Sequence, residues 1–156
     1  MKKIVASIFL VSVIALSSFA QAREVTLTTQ MQNYSGDGAY LAIYLTDAEG
    51  NYQKTLWVAG KKAKYYKNLR DWARGSALKA SEYDGMSGAS IAKGTTFKTT
   101  VEVADALIDA GYEIRVDTAV EDKRDVPVDV RVPLTTSNAG KTTAGRGYIK
   151  TFIYTM

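Results

Sequence analysis

Alternation of apolar and polar side chains is the dominant pattern along this chain. Tyr112, Ile114 and Val116 alternate with charged residues, which is typical of a strand that is buried on one face. The same two-residue period recurs in short segments, so we predict seven strands. These are residues 25–31, 40–46, 52–58, 97–103, 112–118, 126–134 and 148–154.

The positions of proline and glycine indicate how the strands are arranged. Pro127 and Pro133 fall in the sixth predicted strand, and proline lacks the N–H that a central strand needs, so this strand should lie at a sheet edge. Gly36, Gly38 and Gly50 mark tight turns between strands. Seven short strands joined in this way predict an antiparallel, immunoglobulin-like β-sandwich.

One segment, residues 62–74, departs from the two-residue period. Tyr65, Leu69 and Trp72 recur at helical spacing, and Gly75 follows as a candidate cap, so we predict one amphipathic helix inserted between strands. A shorter helical turn is predicted at residues 104–110, closed by Gly111.

The N-terminus has the features of a secretory signal peptide. Lys2 and Lys3 precede an apolar run, and Ala20 and Ala22 form an A-x-A cleavage site. The run is shorter than the roughly 20 residues that span a bilayer, which disfavours a membrane anchor. We therefore predict cleavage after Ala22 and a periplasmic location, with residues 23–156 forming a single β-sandwich domain.

Composition narrows the chemistry that such a domain can perform. Without Lys2 and Lys3 the chain has 18 basic and 16 acidic side chains, too even a balance for a nucleic-acid binder. It has no histidine and no cysteine, which excludes thiolate zinc sites, iron–sulfur clusters and Ser-His or Cys-His nucleophiles. We predict no catalytic residue and no metal site, and any redox or group-transfer chemistry would need an organic cofactor.

Basic and aromatic residues are concentrated between residues 57 and 74. Such rings can stack on a planar ligand and such cations can meet a phosphate, whereas the plainer interpretation is core tryptophans beside a solvated lysine face. Acidic residues collect further along, which predicts a polarised surface whose basic side docks on an acidic membrane protein or on lipid headgroups. The candidate ligand contacts in this region are Trp57, Tyr65, Tyr66, Trp72 and Lys64.

The most specific motif is Asp84-Gly85-Met86-Ser87-Gly88-Ala89-Ser90. It resembles the pattern at which extracytoplasmic flavin transferases attach FMN, taken from FAD, to a hydroxyl as a phosphoester. The resemblance implies that Ser90 is the acceptor and that Asp84, Ser87, Gly88 and Ala89 form the attachment motif. Lys93 lies three residues further on, where it can neutralise the attached phosphate. The alternative is an unmodified, flexible loop.

Two wider resemblances concern the fold and the family. Residues 40–56, YLAIYLTDAEGNYQKTL, resemble the strand-turn-strand of the immunoglobulin-like domain of flagellar hook-capping proteins. Residues 23–156 resemble small predicted periplasmic proteins of unknown function that are associated with PepSY-type transmembrane proteins and flavin transferases. The segments that carry this second resemblance are YLAIYLTDAEGNYQKTLWVAGKKAKYYKNLRDWARG, SEYDGMSGAS and GYEIRVDTAVEDKRDVPVDVRVPL.

Two functions follow as competing expectations. The family resemblance implies an electron carrier, without substrate turnover of its own, that takes electrons from a PepSY-type membrane reductase. The alternative is a non-enzymatic, immunoglobulin-like accessory module that uses its basic-aromatic helix to contact a partner or an anionic ligand. A hydrolase without histidine would need paired carboxylates, and no spacing singles out such a pair.

Overall fold

The computed structural model describes residues 21–156, so the predicted signal peptide, residues 1–22, lies outside the described residues except for Gln21 and Ala22. The described part contains nine strands and one α-helix, α1 (Arg70–Ser76). The strands are β1 (Ala22–Met31), β2 (Tyr40–Thr46), β3 (Tyr52–Ala59), β4 (Ser87–Gly88), β5 (Thr96–Ala104), β6 (Glu113–Ala119), β7 (Val126–Pro133), β8 (Thr143–Ala144) and β9 (Ile149–Thr155).

The strands form two sheets, and the predicted β-sandwich is confirmed. One sheet has the order β5-β1-β9-β8 and the other the order β4-β3-β2-β6-β7. All pairings are antiparallel except that of β3 with the short β4. In an immunoglobulin constant domain the first strand lies beside the second. Here β1 lies between β5 and β9, so the sandwich has its own connectivity.

Local alternation located the long strands well. All seven predicted segments are strands, and β7, which carries both prolines, is an edge strand as expected. The two-residue strands β4 and β8 were not predicted, because two residues are too few to show a period. The turn predicted at residues 104–110 contains a 3₁₀ helix at Asp105–Leu107, and Gly111 follows it with a φ of 89°.

The predicted helix at residues 62–74 is two helices. A 3₁₀ helix covers Ala63–Asn68, the backbone breaks at Leu69, and α1 begins at Arg70. The break allows Asp117 of β6 to accept hydrogen bonds from the first N–H groups of α1, at 2.8 and 2.9 Å. Gly75 does not cap the helix, which ends at Ser76. A Cβ on Gly75 would lie 2.3 Å from Tyr52 Cβ, so glycine allows α1 to approach β3.

Two apolar cores result from this arrangement. The larger lies between the sheets and is built around Leu27, Leu41, Ile43 and Phe152. The smaller lies between the outer face of the five-stranded sheet and the helical segment, which we call the outer core. It consists of Tyr40, Ala42, Tyr44, Val58, Tyr66, Leu69, Trp72 and Ala119.

Candidate cofactor-attachment site

The attachment motif forms part of the five-stranded sheet. β4 pairs in parallel with the outer edge of β3, and the Val58 and Gly60 N–H groups donate to the carbonyls of Met86 and Gly88, at 2.9 and 2.8 Å. A turn with Gly85 at a φ of 76° leads into β4. Two residues of the motif, Ser87 and Gly88, therefore form a short edge strand, with a turn before them and no regular secondary structure at Ala89 and Ser90.

Ser90 follows β4 at an exposed position. The next residue, Ile91, is buried and exchanges two backbone hydrogen bonds with Ala39, at 2.8 and 2.9 Å. A Cβ on Gly38 would lie 3.0 Å from Ser90 Oγ, so glycine leaves room beside this hydroxyl. Backbone hydrogen bonds thus hold the chain before Ser90, in β4, and after it, at Ile91, while the Ser90 side chain remains accessible.

The small residues of the motif have separate structural reasons. A Cβ on Gly88 would lie 3.1 Å from Trp57 Cζ2, so glycine lets β4 lie directly against the indole. Asp84, Ser87 and Ala89 are exposed, and Lys93 is exposed in the turn that leads to β5. No side chain of the described residues crowds the outer side of this segment at Gly85, where a Cβ would meet nothing within 4 Å.

A cleft adjoins the motif at the open side of the sandwich. It has a volume of about 300 Å³ and lies between β3, the turn before β4, and β5. Trp57 lines it and packs against Phe97, with 6.0 Å between ring centroids. Trp57 Nε1 is buried and has no hydrogen-bond acceptor among residues 21–156.

The other predicted ligand contacts lie on the opposite face of the five-stranded sheet. Trp72 is 0% exposed and Tyr66 is 4% exposed, so neither presents a ring face to a ligand. For these two the prediction is corrected: they are outer-core residues, as the plainer interpretation held. Tyr65 is half-buried, and Lys64 Nζ lies 4.8 Å from its ring centroid. The structure therefore does not bring Tyr65 and Lys64 to the Trp57 side of the sheet.

The prediction that basic and acidic side chains form separate sides of the surface is wrong. The acidic segment folds back onto the basic one: Arg70 forms an ion pair with Asp125 at 3.0 Å, and the Tyr65 hydroxyl donates to Glu121 at 2.7 Å. Two aspartates of the acidic part of the chain, Asp117 and Asp129, are completely buried and add nothing to an acidic surface. The acidic and basic segments are therefore neighbours in the fold and do not form opposite ends of the molecule.

Asp117 connects β6, β7 and the helical segment. It accepts hydrogen bonds from the Tyr44 hydroxyl and the Val128 N–H, at 2.9 and 2.8 Å, besides the two N–H groups of α1. Burial raises the pKa of the Asp117 carboxyl, against the effect of the donated hydrogen bonds. Burial and the Asp117 carboxylate both raise the pKa of Tyr44.

Asp129 organises the turn before β9. Its carboxylate accepts hydrogen bonds from four backbone N–H groups at 2.7–3.1 Å and from the Thr118 hydroxyl at 2.7 Å. Val128, with a φ of 49°, interrupts the alternation of β7 and turns Asp129 inward. Neither buried aspartate was predicted, because simple alternation places Asp117 and Asp129 on the polar faces of their strands. The residues whose backbone N–H groups donate to the Asp129 carboxylate are Arg146, Gly147, Tyr148 and Ile149.

A second cavity, of about 480 Å³, lies between α1 and the β2–β3 turn, with Tyr52 in its wall. The Tyr52 hydroxyl bonds to Glu82 and, at 2.7 Å, to Thr55 Oγ1. Burial, together with the Glu82 carboxylate, raises the pKa of Tyr52 from 10.0 to about 12. No residue of the motif lines this cavity, whereas arginine and carboxylate side chains do. They are Arg74, Arg115, Asp71 and Glu49.

The raised pKa of Tyr52 predicts an alkaline loss of stability. Its contribution is complete below pH 10.0, the ordinary pKa, and is lost as the pH rises through about 12. At neutral pH we expect Tyr52→Phe to destabilise the protein by about 1 kcal/mol. Urea unfolding gives the free energies of unfolding of the parent protein and of Tyr52→Phe. The difference between them should narrow as the pH rises from 10.0 to about 12. A constant difference would contradict this assignment.

These features define a small, mainly β domain whose candidate site is a surface segment for attachment, next to an open cleft. Residues 22–151 match the family described as predicted periplasmic protein (DUF2271), and the chain belongs to this family. No curated protein and no solved structure matches the chain significantly. Within residues 21–156 no helix has the length and apolar character for crossing a membrane, and no cluster of acidic side chains suits a metal ion.

Proposed function

We propose that this protein is a periplasmic electron carrier with FMN attached covalently to Ser90. The observation that carries the proposal is the exposure of Ser90 at the end of an anchored edge strand whose sequence resembles a flavin-attachment motif. A transferase needs a hydroxyl that enters its active site, and Ser90 is accessible while Ile91 and β4 hold its flanks.

The attachment step is a phosphoryl transfer without redox change. Ser90 Oγ attacks the phosphorus on the FMN side of FAD and forms a phosphoester. The pyrophosphate P–O bond breaks, AMP leaves, and the hydroxyl proton passes to water. An extracytoplasmic flavin transferase would catalyse this step, with Asp84 orienting the hydroxyl or holding the metal of the transferase. Lys93 is exposed three residues beyond Ser90 and would balance the charge of the phosphoester.

The residues around the motif fit a flavin. Gly38 leaves room beside Ser90 Oγ, Gly88 lets β4 lie against Trp57, and Trp57 lines the cleft next to the motif. Once bound, FMN supplies reversible one- and two-electron transfer, and the sequence has no cysteine that could supply two-electron redox chemistry. The family resemblance makes a PepSY-type membrane protein the proposed electron donor.

The test is the mass of the exported protein. We would co-express it with an extracytoplasmic flavin transferase, denature it, and measure intact mass and in-gel flavin fluorescence. We expect an increment of one FMN less one water. Trypsin, which cleaves after Lys79 and Lys93, should place the increment on residues 80–93, and fragmentation should assign it to Ser90. The control is the same expression without the transferase.

Absence of the increment, with a transferase shown to modify a known target, would refute the proposal. It would favour the second candidate, an accessory module that binds a partner through its basic segment. The observation behind that candidate is a run of exposed lysines that form no ion pair among residues 21–156. They are Lys61, Lys62, Lys64 and Lys67.

A further inference from the structure

The open side of the sandwich has the form of a ligand site. There the edge of the five-stranded sheet faces β5, and the cleft of about 300 Å³ between them lies at the lower end of the size range of small-molecule sites. Leu56, Trp57, Met86 and Val101 give it apolar surface, while Lys54 and Glu102 are exposed where the cleft meets solvent. An apolar cleft with a charged rim suits a planar ring with polar edges.

Trp57 is the residue that distinguishes this cleft from an ordinary groove between sheets. Its Nε1 lies 3.8 Å from the position of a Cβ on Gly88 and has no acceptor within the described residues. Leaving a buried donor unpaired costs free energy, and native proteins rarely do so without a reason. The donor lies beneath β4, so a ligand acceptor would reach it only where β4 moves off Trp57. The part of Trp57 that a ligand in the cleft contacts directly is the ring that lines it.

The attachment motif leads into the same cleft. Gly85 and Met86, at the start of the motif, line it, and Ser90 lies four residues beyond Met86. Four residues of extended strand span about 13 Å. A phosphate and ribityl chain attached at Ser90 could therefore bridge much of that separation before the ring begins.

We propose that the cleft between β3, β4 and β5 is the resting place of the flavin ring, with Trp57 as its principal contact. This inference rests on the proposed attachment of FMN to Ser90. The alternative surface, around Tyr65, lies on the other face of the sheet, where Tyr40 already packs edge-on against Tyr65 at 5.5 Å. The cleft is the surface that adjoins both the motif and the indole of Trp57.

The first test uses the flavinylated protein and Trp57→Phe. A neighbouring indole quenches flavin fluorescence by electron transfer to the excited ring, so we expect a several-fold rise in fluorescence per attached FMN. Intact mass should show the same flavin occupancy in both proteins. Tyr65→Phe is the matched control and should leave the fluorescence unchanged.

A second pair of variants tests the cleft without altering Trp57. Val101 lines the cleft and packs against the core between the sheets, whereas Lys98 is exposed on the outer face of β5 and does not line the cleft. Val101→Trp should fill the cleft and displace the ring, whereas Lys98→Trp should have no effect. The readout is amide hydrogen exchange at Met86, which FMN attachment should slow in the parent protein and in Lys98→Trp but not in Val101→Trp.

The outcomes separate the two proposals. An adduct on Ser90 with fluorescence unaffected by Trp57→Phe and exchange unaffected by Val101→Trp would overturn the ring site and leave attachment intact. The absence of any adduct would overturn the proposed function and this inference together. An adduct with the expected changes would support both.

Discussion

Ser90→Ala is expected to abolish the covalent flavin completely, because alanine has no oxygen to form the phosphoester. Ser90 is exposed, so the free energy of unfolding should change by no more than about 0.5 kcal/mol. Intact mass after co-expression with the transferase measures the adduct, and urea unfolding of the unmodified protein measures the stability.

Two further variants make this result specific. Ser90→Thr keeps a hydroxyl at the same position and should retain the adduct. Ser81→Ala removes an exposed serine that lies on the same tryptic peptide but outside the motif, and should have no effect. An adduct that persists in Ser90→Ala would show that another hydroxyl is the acceptor, and Ser87 would be the first to examine.

Asp129→Ala should cause the largest loss of stability, at least about 3 kcal/mol. The substitution removes the acceptor of five hydrogen bonds, and each buried donor left unpaired costs roughly 1–3 kcal/mol, less where water can enter. Urea unfolding followed by circular dichroism measures the effect. Asp37→Ala, at an exposed aspartate, is the control and should change stability by less than about 0.5 kcal/mol.

A loss below about 1 kcal/mol in Asp129→Ala would mean that water replaces the carboxylate at little cost. The turn before β9 would then be held by its backbone rather than by Asp129. Asp129→Asn is a second test of whether the carboxylate itself holds the turn. The amide keeps one acceptor oxygen but turns its own N–H groups toward the backbone donors. We expect it to be destabilised as well, since the four N–H groups converge on both oxygens.

The long strands were predictable because their signal is local. A period of two residues specifies a half-buried strand wherever it occurs, and the prolines of β7 fixed its place at an edge. The helical segment was only half predictable. Its division at Leu69 depends on Asp117, which is distant in sequence and reaches the start of α1 only after folding.

The candidate site was likewise predictable only in part. The motif at residues 84–90 was recognisable because its residues are consecutive. Its surroundings were not, because neighbours in β3 face opposite sides of the sheet: Trp57 packs beside the core between the sheets, while Val58 belongs to the outer core. Grouping Trp57 with Tyr66 and Trp72 by proximity in sequence therefore combined residues from two faces.

The pairing of β4 with β3 has a consequence for how the protein would be modified. An uncovered strand edge invites pairing with other chains, and β4 shields the edge of β3 with only two residues, as the prolines of β7 protect the opposite edge. So short a shield can detach by local opening, at far less cost than unfolding the domain. A modifying enzyme could therefore act on the finished domain after export, and a cell could load the cofactor long after the chain has folded.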